Sequence, residues 1–504
     1  MSNNHNFDVV VVGGGMTACI AALTAYENGA RVAIVEAAPR DERGGNSRFA
    51  GTVWRFVHEG REHLKPLLDA KALERFDGAE IGPYTAATFE EDMLKKSGGR
   101  HDRDEIKTLI QRGYPTVQWL AGHGTPFELP FDLFVPRKAE KGQRVNLYPG
   151  VPVINRDNGR GLTDAVWAAV EKTNIKVFYE SPAHDLIVKG NQVLGITVRR
   201  NMGFDRFYGR VILACGGFEA NPRMRRQYLG EGTELAIVRG TRFNTGRMLE
   251  QSIAAGAQAQ GHWGGYHCAP LDINTPKVGN FESLDAWERY AFPYCIMVNT
   301  AGQRFVDEGE DETSLIYSKI GAALAKEKDA KAFQILDQKT VKYLEPRYLS
   351  HGTRIEANTI SGLAEKLGIE PSSLNKTVDD FNAAVPDEST PFHPYQKDGR
   401  CTKEGLSPKK SHWAQKIDKP PFVAYEVTVG ITFTFGGIKT DQSACVMNNE
   451  GNVMPGLYAA GEMTGGFYFG YAAGASLLRS AVYARIAGEH AARRGDNREL
   501  VARL

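Results

Sequence analysis

Three consecutive glycines near the start of the chain carry the plainest chemistry. Gly13-Gly14-Gly15-Met16-Thr17-Ala18 fits GxGxxA and follows directly on Phe7–Val12, whose composition is that of a fully buried parallel strand. The next stretch predicts a helix from about Met16 to Asn28, with Gly29 in its C-terminal left-handed position. A second strand, Arg31 to Val35, ends on Glu36, 23 residues after Gly13. Gly13 permits a tight turn, Gly15 lets a pyrophosphate approach the backbone, and the small Ala18 lets helix and strand pack closely. The helix N-terminus offers N–H groups to the anion. Glu36 accepts hydrogen bonds from a ribose diol and repels a 2′-phosphate. A lone glycine motif is a weak signal. Strand, glycines, helix, strand and acid in this order read as a dinucleotide site.

That order serves NAD and FAD alike, and segments far downstream separate them. Glu42-Arg43-Gly44-Gly45-Asn46-Ser47-Arg48 follows the acid. Val211 to Phe218 is a strand ending in small residues, and Gly456 to Glu462 is another, closing on Gly461-Glu462. A helix then runs from about Ala475 to Arg493. These pieces resemble the flavoprotein family of fumarate reductases, succinate dehydrogenases and 3-ketosteroid dehydrogenases, over nearly the whole chain. Arg43–Ser47, Arg239–Gly246, Arg304–Asp311, His412–Ala414 and Gly430–Phe435 are similar to the tricarballylate dehydrogenase branch of that family.

The resemblance implies an α/β fold: a three-layer, Rossmann-like FAD-binding domain with an inserted α+β capping domain. It implies FAD contacts at Gly13, Gly14, Gly15, Met16, Thr17, Ala18, Glu36 and Ala37. Gly44, Gly45, Asn46 and Ser47 follow, then Ala183, Ala214, Cys215, Gly216, Gly461, Glu462, Ser476 and Leu477. Glu462 suits ribityl hydroxyls. Ser476 and Leu477 lie where a helix dipole stabilises negative charge on a reduced flavin. The respiratory members attach flavin through a His at the segment matching Gly45–Arg48. No His stands there, so the FAD is expected to be non-covalent. Cys215 reads as a small wall residue rather than a redox thiol.

The chain departs from the reductases where they hold dicarboxylates. Glu312 and Ala472 stand at positions that normally carry arginines, and Thr432 and Phe433 at positions that normally carry histidines. Fumarate reduction is therefore not expected. Aromatic residues remain in segments expected to border the flavin: Trp263, Tyr266, Trp287, Tyr290, Tyr294, Tyr468, Phe469 and Tyr471. Tyr471 resembles the turn tyrosine of the ketosteroid enzymes and is the first catalytic candidate. His267 is the second, and Arg289 is a candidate anchor for a substrate anion.

The expected reaction forms a C=C bond beside a carbonyl or carboxylate: a base removes the α-proton and hydride passes to flavin N5. The branch precedent is tricarballylate, with electrons leaving to a separate membrane iron–sulfur or haem partner. The reverse reduction, a ketosteroid-type reaction and a non-catalytic flavin carrier are the alternatives.

These residues need a frame to position them. At 504 residues the chain has room for about three domain-sized pieces. Lys plus Arg is 61 against 60 Asp plus Glu, which argues against nucleic-acid binding. Six scattered cysteines, none in a CxxC pair, read as reduced thiols of a cytoplasmic protein. Val9 to Tyr26 carries no charge, but its glycines break it into strand, turn and helix, so membrane insertion is not expected. No metal-ligand spacing is present. The expected division gives 1–261 and 430–504 to the FAD domain, with a mainly helical insertion over about Phe56 to Phe134. Residues 262–429 form the cap, and a small-molecule substrate is expected at the seam.

Overall fold

A computed structural model of the chain describes residues 3–131, 144–200, 203–284, 286–386 and 390–493. The backbone divides into two compact units. One comprises Met1–Pro130, Asn146–Tyr266 and Thr432–Leu504, the other Phe131–Val145 and His267–Ile431.

The first unit is built on a parallel sheet. Its strands run in the order Val453–Ala459, Gly203–Leu213, Asn4–Val12, Val32–Val35 and Lys176–Phe178, with Cys445–Met447 antiparallel at one edge. Val9 to Val12 are buried on both faces, as a covered parallel strand requires. Val10, Val12, Val211 and Leu213 join a core cluster with Ile196 and Val198 of the antiparallel hairpin Ala183–Lys189/Gln192–Arg200. The helix Met16–Glu27 packs against Ala475–Ala492, which packs in turn on Arg103–Gly122. Gly488 makes the first of these contacts close, because a Cβ there would lie 2.6 Å from Ala21 O. Helices, sheet and hairpin give the three layers expected from the sequence.

The first strand begins at Asn4, three residues before the predicted start. Its opening residues are polar and partly exposed, so hydrophobicity gave no sign of them. They are held by pairing with Arg206 to Tyr208. The predicted insertion holds the helices Arg61–Leu64, Ala70–Leu73, Ala86–Lys96 and Arg103–Gly122; its expected end, Phe134, lies outside the described residues.

The second unit is α+β. Ile296–Asn299, Ala332–Leu336, the first half of Phe422–Ile438 and Arg354–Ala357 form an antiparallel sheet. Helices Ile360–Leu367 and Pro371–Ala384 close a core over it, with Phe333, Ile335, Leu363, Leu374 and Phe381. Phe131–Val145 groups with the second unit, whereas the expected division kept it with the first; the other two crossings fall within the strands Ala259–Asp272 and Phe422–Ile438. The divisions at Tyr266/His267 and Ile431/Thr432 therefore fall a few residues beyond the expected boundaries. Among the described residues no helix is long and apolar enough to cross a membrane.

One buried ion pair fixes the first unit where the chain's last helix begins. Arg479 Nε donates to Glu105 Oε1 at 2.8 Å, and His101 Nε2 lies 2.7 Å from the same oxygen. The rest of the guanidinium donates to Thr464 Oγ1 (2.8 Å), Gly465 O (3.1 Å), Thr464 O (3.3 Å) and Gly461 O (3.4 Å). A single arginine thus ties the loop after strand Val453–Ala459 to two helices. Burial alone would raise the Glu105 carboxyl, but the charges of Arg479 and His101 outweigh it and hold the group down to about 2.

Arg479→Met should lower stability by about 3–5 kcal/mol, the usual cost of stranding one partner of a buried pair. The depressed Glu105 value adds a pH signature. Its contribution is complete above the free carboxylate's 4.5 and is lost as pH falls towards 2. The gap between wild type and variant in thermal melts should therefore shrink between pH 5 and pH 3. A constant gap would assign the loss to packing rather than to the pair.

Candidate functional site

The strand ends of the first unit converge through backbone hydrogen bonds. Gly13 N donates to Val35 O (2.9 Å), Ala214 N to Val12 O (2.9 Å), Ala460 N to Leu213 O (3.0 Å) and Glu36 N to Phe178 O (2.9 Å). The strand Asn4–Val12 sits where the sheet order reverses, the place at which open α/β sheets bind ligands.

The three glycines at this point have different reasons to be glycine. Gly13 has φ +113°, and a Cβ on it would collide with Ala214 O. A Cβ on Gly14 would collide with the Glu36 carboxylate. Gly15 has ordinary extended backbone, φ −76° and ψ 177°, and a Cβ there would meet nothing nearer than Ser47 Oγ at 3.5 Å and Gly44 O at 3.6 Å. The protein's own packing accounts for Gly13 and Gly14. Gly15 is explained by a group that approaches from outside.

That group is anionic by the chemistry of its surroundings. Gly15 caps the helix Met16–Glu27 without a side-chain cap, and no acid stands in the first turn, so the helix N-terminus presents N–H groups and positive dipole. Ser47 Oγ accepts from Met16 N at 3.2 Å. Glu36 accepts from Ala38 N at 2.8 Å, and burial pushes its carboxyl up to about 7. Donor hydroxyls brought against it would favour the charged form. An anion-receptive helix end beside a buried carboxylate fits the pyrophosphate and ribose of FAD.

The remaining predicted cofactor residues surround this point. Gly44 and Gly45, both at positive φ, start the turn Gly45–Phe49. Gly461 has φ +73°, and its Cβ would crowd Thr17. Ala18 is fully buried, Ala37 follows Glu36, and Ala183 opens the hairpin strand. Ser476 and Leu477 lie in the first turn of Ala475–Ala492, capped by Gly474 at φ +88°. Cys215 Sγ lies 3.6 Å from Met463 Sδ, and burial pushes its thiol up to about 12. A thiol so hard to ionise suits a wall position.

Two residues that the sequence reading did not single out, Glu219 and Asn244, organise the site. Glu219 Oε1 accepts from Asn46 Nδ2 and from Asn244 Nδ2, both at 2.5 Å. Asn46 Nδ2 also donates to Thr432 O (2.6 Å), and its Oδ1 accepts from Thr241 N (2.8 Å). Glu462 Oε1 accepts from Thr434 N (2.8 Å) and Thr434 Oγ1 (3.2 Å). Side chains on Gly216, Gly217 or Gly240 would collide with members of this cluster. Burial, and then the charge of Glu462, pushes the Glu219 carboxyl well above the usual range. Burial also raises Glu462, which the bond from Glu219 opposes. Both carboxyls are thus held above the usual carboxylate range, Glu219 the more strongly.

The expected catalytic residues separate. Tyr471 lies in an aromatic cluster of the first unit, its ring 5.2 Å from Phe433 and 5.5 Å from Phe467. Phe433 and Phe467 are 6.0 Å apart, and Phe433 and Phe435 5.4 Å. Trp263 instead packs with Phe218 and Tyr228 on the sheet core. In the second unit His267 is buried, with Nε2 2.7 Å from Tyr317 Oη. Tyr290 donates to Glu288 (2.6 Å), and Trp287 to Ser283 (2.8 Å). Arg289 is fully buried against Asp272, at 3.2 Å from Nε and 3.1 Å from Nη2. A charge already matched in this way favours a structural role over an anion anchor. Ala472 is buried, and Thr432 Oγ1 accepts from Arg239 Nη1 at 3.0 Å. Among the described residues no group of His, Cys, Asp and Glu could hold a metal ion.

Comparison with known proteins gives the same picture. A family description for an FAD binding domain matches residues 8–478. An NADH:acrylate oxidoreductase of Vibrio harveyi is 28% identical over 541 residues, covering 96% of this chain and 50% of the relative. An NADH:fumarate oxidoreductase of Klebsiella pneumoniae (strain 342) is 24% identical, covering 97% of this chain and 48% of the relative. The chain therefore spans about half the length of these two curated relatives. Its fold is similar to that of the 3-ketosteroid-Δ4-(5α)-dehydrogenase from Rhodococcus jostii RHA1, with a TM-score of 0.71, 23% identity and 97% of each chain covered.

The glycine analysis separates two variants. Gly15→Ala should fold with an unchanged apo-protein melting temperature and lose FAD affinity. Gly14→Ala should lose stability even without cofactor, since its new methyl meets Glu36. Apo-protein melts and FAD titrations of both variants check this, and a destabilised apo Gly15→Ala would remove the ligand argument.

Glu219→Gln should keep the cluster and the FAD content, because the amide still accepts from both asparagines and donates to Glu462. Glu219→Ala should lose both, at about 1–3 kcal/mol for each stranded polar group. The raised Glu219 value means that wild-type stability falls as pH rises above 4.5 towards that value. The Gln variant escapes that loss and should be the more stable form at alkaline pH.

Proposed function

The chain belongs to the FAD-binding-domain family of flavoproteins, and from that premise we propose an oxidoreductase acting on a carbon–carbon bond next to a carboxylate or carbonyl. Its substrate is a monocarboxylic enoate, or the saturated partner, with an apolar or aromatic body. The observation that carries this reading is the ring cluster of Phe433, Phe467 and Tyr471, within 6.0 Å of one another. It stands where the sequence resemblance places dicarboxylate-binding arginines and histidines. Rings of this kind favour flat, apolar groups and give a second or third carboxylate nothing to pair with. Tricarballylate, the substrate suggested by the sequence resemblance, fits such a wall poorly.

FAD, when bound, takes or supplies the hydride. The cluster orients the substrate's apolar part and excludes water from it. The Tyr471 hydroxyl gives a proton to the α-carbon in the reductive direction and takes it in the oxidative one. The glycine cradle, Glu36 and the Asn46–Glu219–Glu462 cluster hold the cofactor non-covalently. For the electron carrier we follow the sequence resemblance: a separate iron–sulfur or haem protein at the membrane.

Tyr471→Phe should leave FAD content unchanged and slow flavin reduction or reoxidation by about 10²–10⁴-fold, the usual worth of general acid–base help. Stopped-flow traces at matched FAD content measure it. A rate within twofold of wild type would remove Tyr471 from the mechanism and bring forward His267 with Tyr317. Fumarate should oxidise the reduced protein far more slowly than 3-phenylacrylate does. The opposite order would overturn the substrate reading.

A further inference from the structure

Two residues before Tyr471, the backbone holds an unusual aromatic. Phe469 has φ +61° and a side chain left 64% exposed. A bulky residue rarely adopts that backbone region, and strain of this kind gathers at ligand sites. The ring is nevertheless positioned. The Arg100 guanidinium lies 5.5 Å from its centroid. His262 meets it edge-on at 5.1 Å. Gly98, at φ +58°, lets the ring come against the turn before helix Arg103–Gly122, where a Cβ would sit 3.4 Å from it.

Arg100 and His262 are the polar side chains recorded against the ring. Phe469 N donates to His262 Nδ1 at 3.2 Å. The ring proton of His262 therefore sits on Nε2. Burial, and then the charge of Arg100, lowers the imidazole's pKa, so near neutral pH it is an uncharged donor. Arg100 is exposed, and among the described residues no carboxylate lies within ion-pair distance of it. The loop Gly465–Gly474 thus joins an aromatic wall, a phenol and, through Phe469, an arginine with no counter-charge.

We propose that Arg100, held against Phe469, is the anchor for the substrate's carboxylate, and that His262 Nε2 assists it. This rests on the enoate reading above. A planar guanidinium takes a carboxylate through two parallel N–H···O bonds, and the Phe469 ring 5.5 Å away limits where it can lie. One such anchor selects a monocarboxylate, in agreement with the apolar side chains at Phe433 and Ala472.

The test titrates FAD-loaded protein with 3-phenylacrylate and with its uncharged amide, following the visible flavin spectrum. Arg100→Gln should weaken the acid by about ten- to hundredfold, the range for hydrogen bonds to charged groups, and leave the amide within twofold. Arg100→Lys should recover part of the loss, because it keeps the charge without the fork. Equal weakening of acid and amide, or unchanged affinity for the acid, would overturn the anchor while leaving the enoate reading in place. Failure of the wild type to bind either compound would overturn the enoate reading and the anchor with it. Arg100 is exposed and far from the core, so matched melting temperatures confirm that the variants report on binding.

Discussion

Asn46 spends its whole carboxamide on protein partners, and most of the site follows from that. Its carboxamide uses both donors and its acceptor on Glu219, Thr432 O and Thr241 N. Those partners lie 173, 195 and 386 residues further along the chain, so the loop after Gly44-Gly45 holds one position only if all three are in place. Glu219 in turn lies beside Glu462, both carboxyls raised by burial, and Glu462 accepts from Thr434. Low dielectric makes each bond strong and each missing bond expensive. The cofactor loops are therefore set by a closed hydrogen-bond cycle rather than by apolar packing, which would tolerate small shifts.

A second polar device, the Arg479–Glu105 pair, works on the opposite side of the same strand end. It holds the carbonyls of Gly461, Thr464 and Gly465, and the aromatic loop starts at once beyond them. Directional polar bonds thus brace the predicted cofactor residues, whereas the loop beyond them packs ring upon ring, Phe467 and Tyr471 against Phe433. The two parts obey different physics: one is held by donors and acceptors of fixed geometry, the other by the shapes of its rings.

Much of this was legible in the sequence, where local chemistry sets the structure. The strand–glycine–helix–strand–acid order needs only adjacent residues, and Gly13, Gly15 and Glu36 stand at the strand and helix ends where that order puts them. Tyr471 was picked out by its turn. Other features depend on partners hundreds of residues away. Glu219 and Asn244 look like ordinary polar residues until folding brings Asn46 and Glu462 to them. Arg479 sits in an alanine-rich helix and reads as a solvated face until Glu105 and His101 arrive. Asn4 to Asn6 form strand because of Arg206 to Tyr208. Arg289 gives no sign in the sequence of its buried partner Asp272, a residue of the strand Ala259–Asp272. The aromatic residues split between the two units for the same reason: flavin-facing and core-facing rings have the same composition.

The strand Phe422–Ile438 carries its side chains alternately to two faces. Thr432 and Thr434 point to the polar residues Arg239 and Glu462, while Phe433 and Phe435 point to the ring cluster. The period-two geometry of the strand lets one segment brace a polar network on one face and a ring cluster on the other, so a slip of one residue in register would exchange the two sets and break both at once.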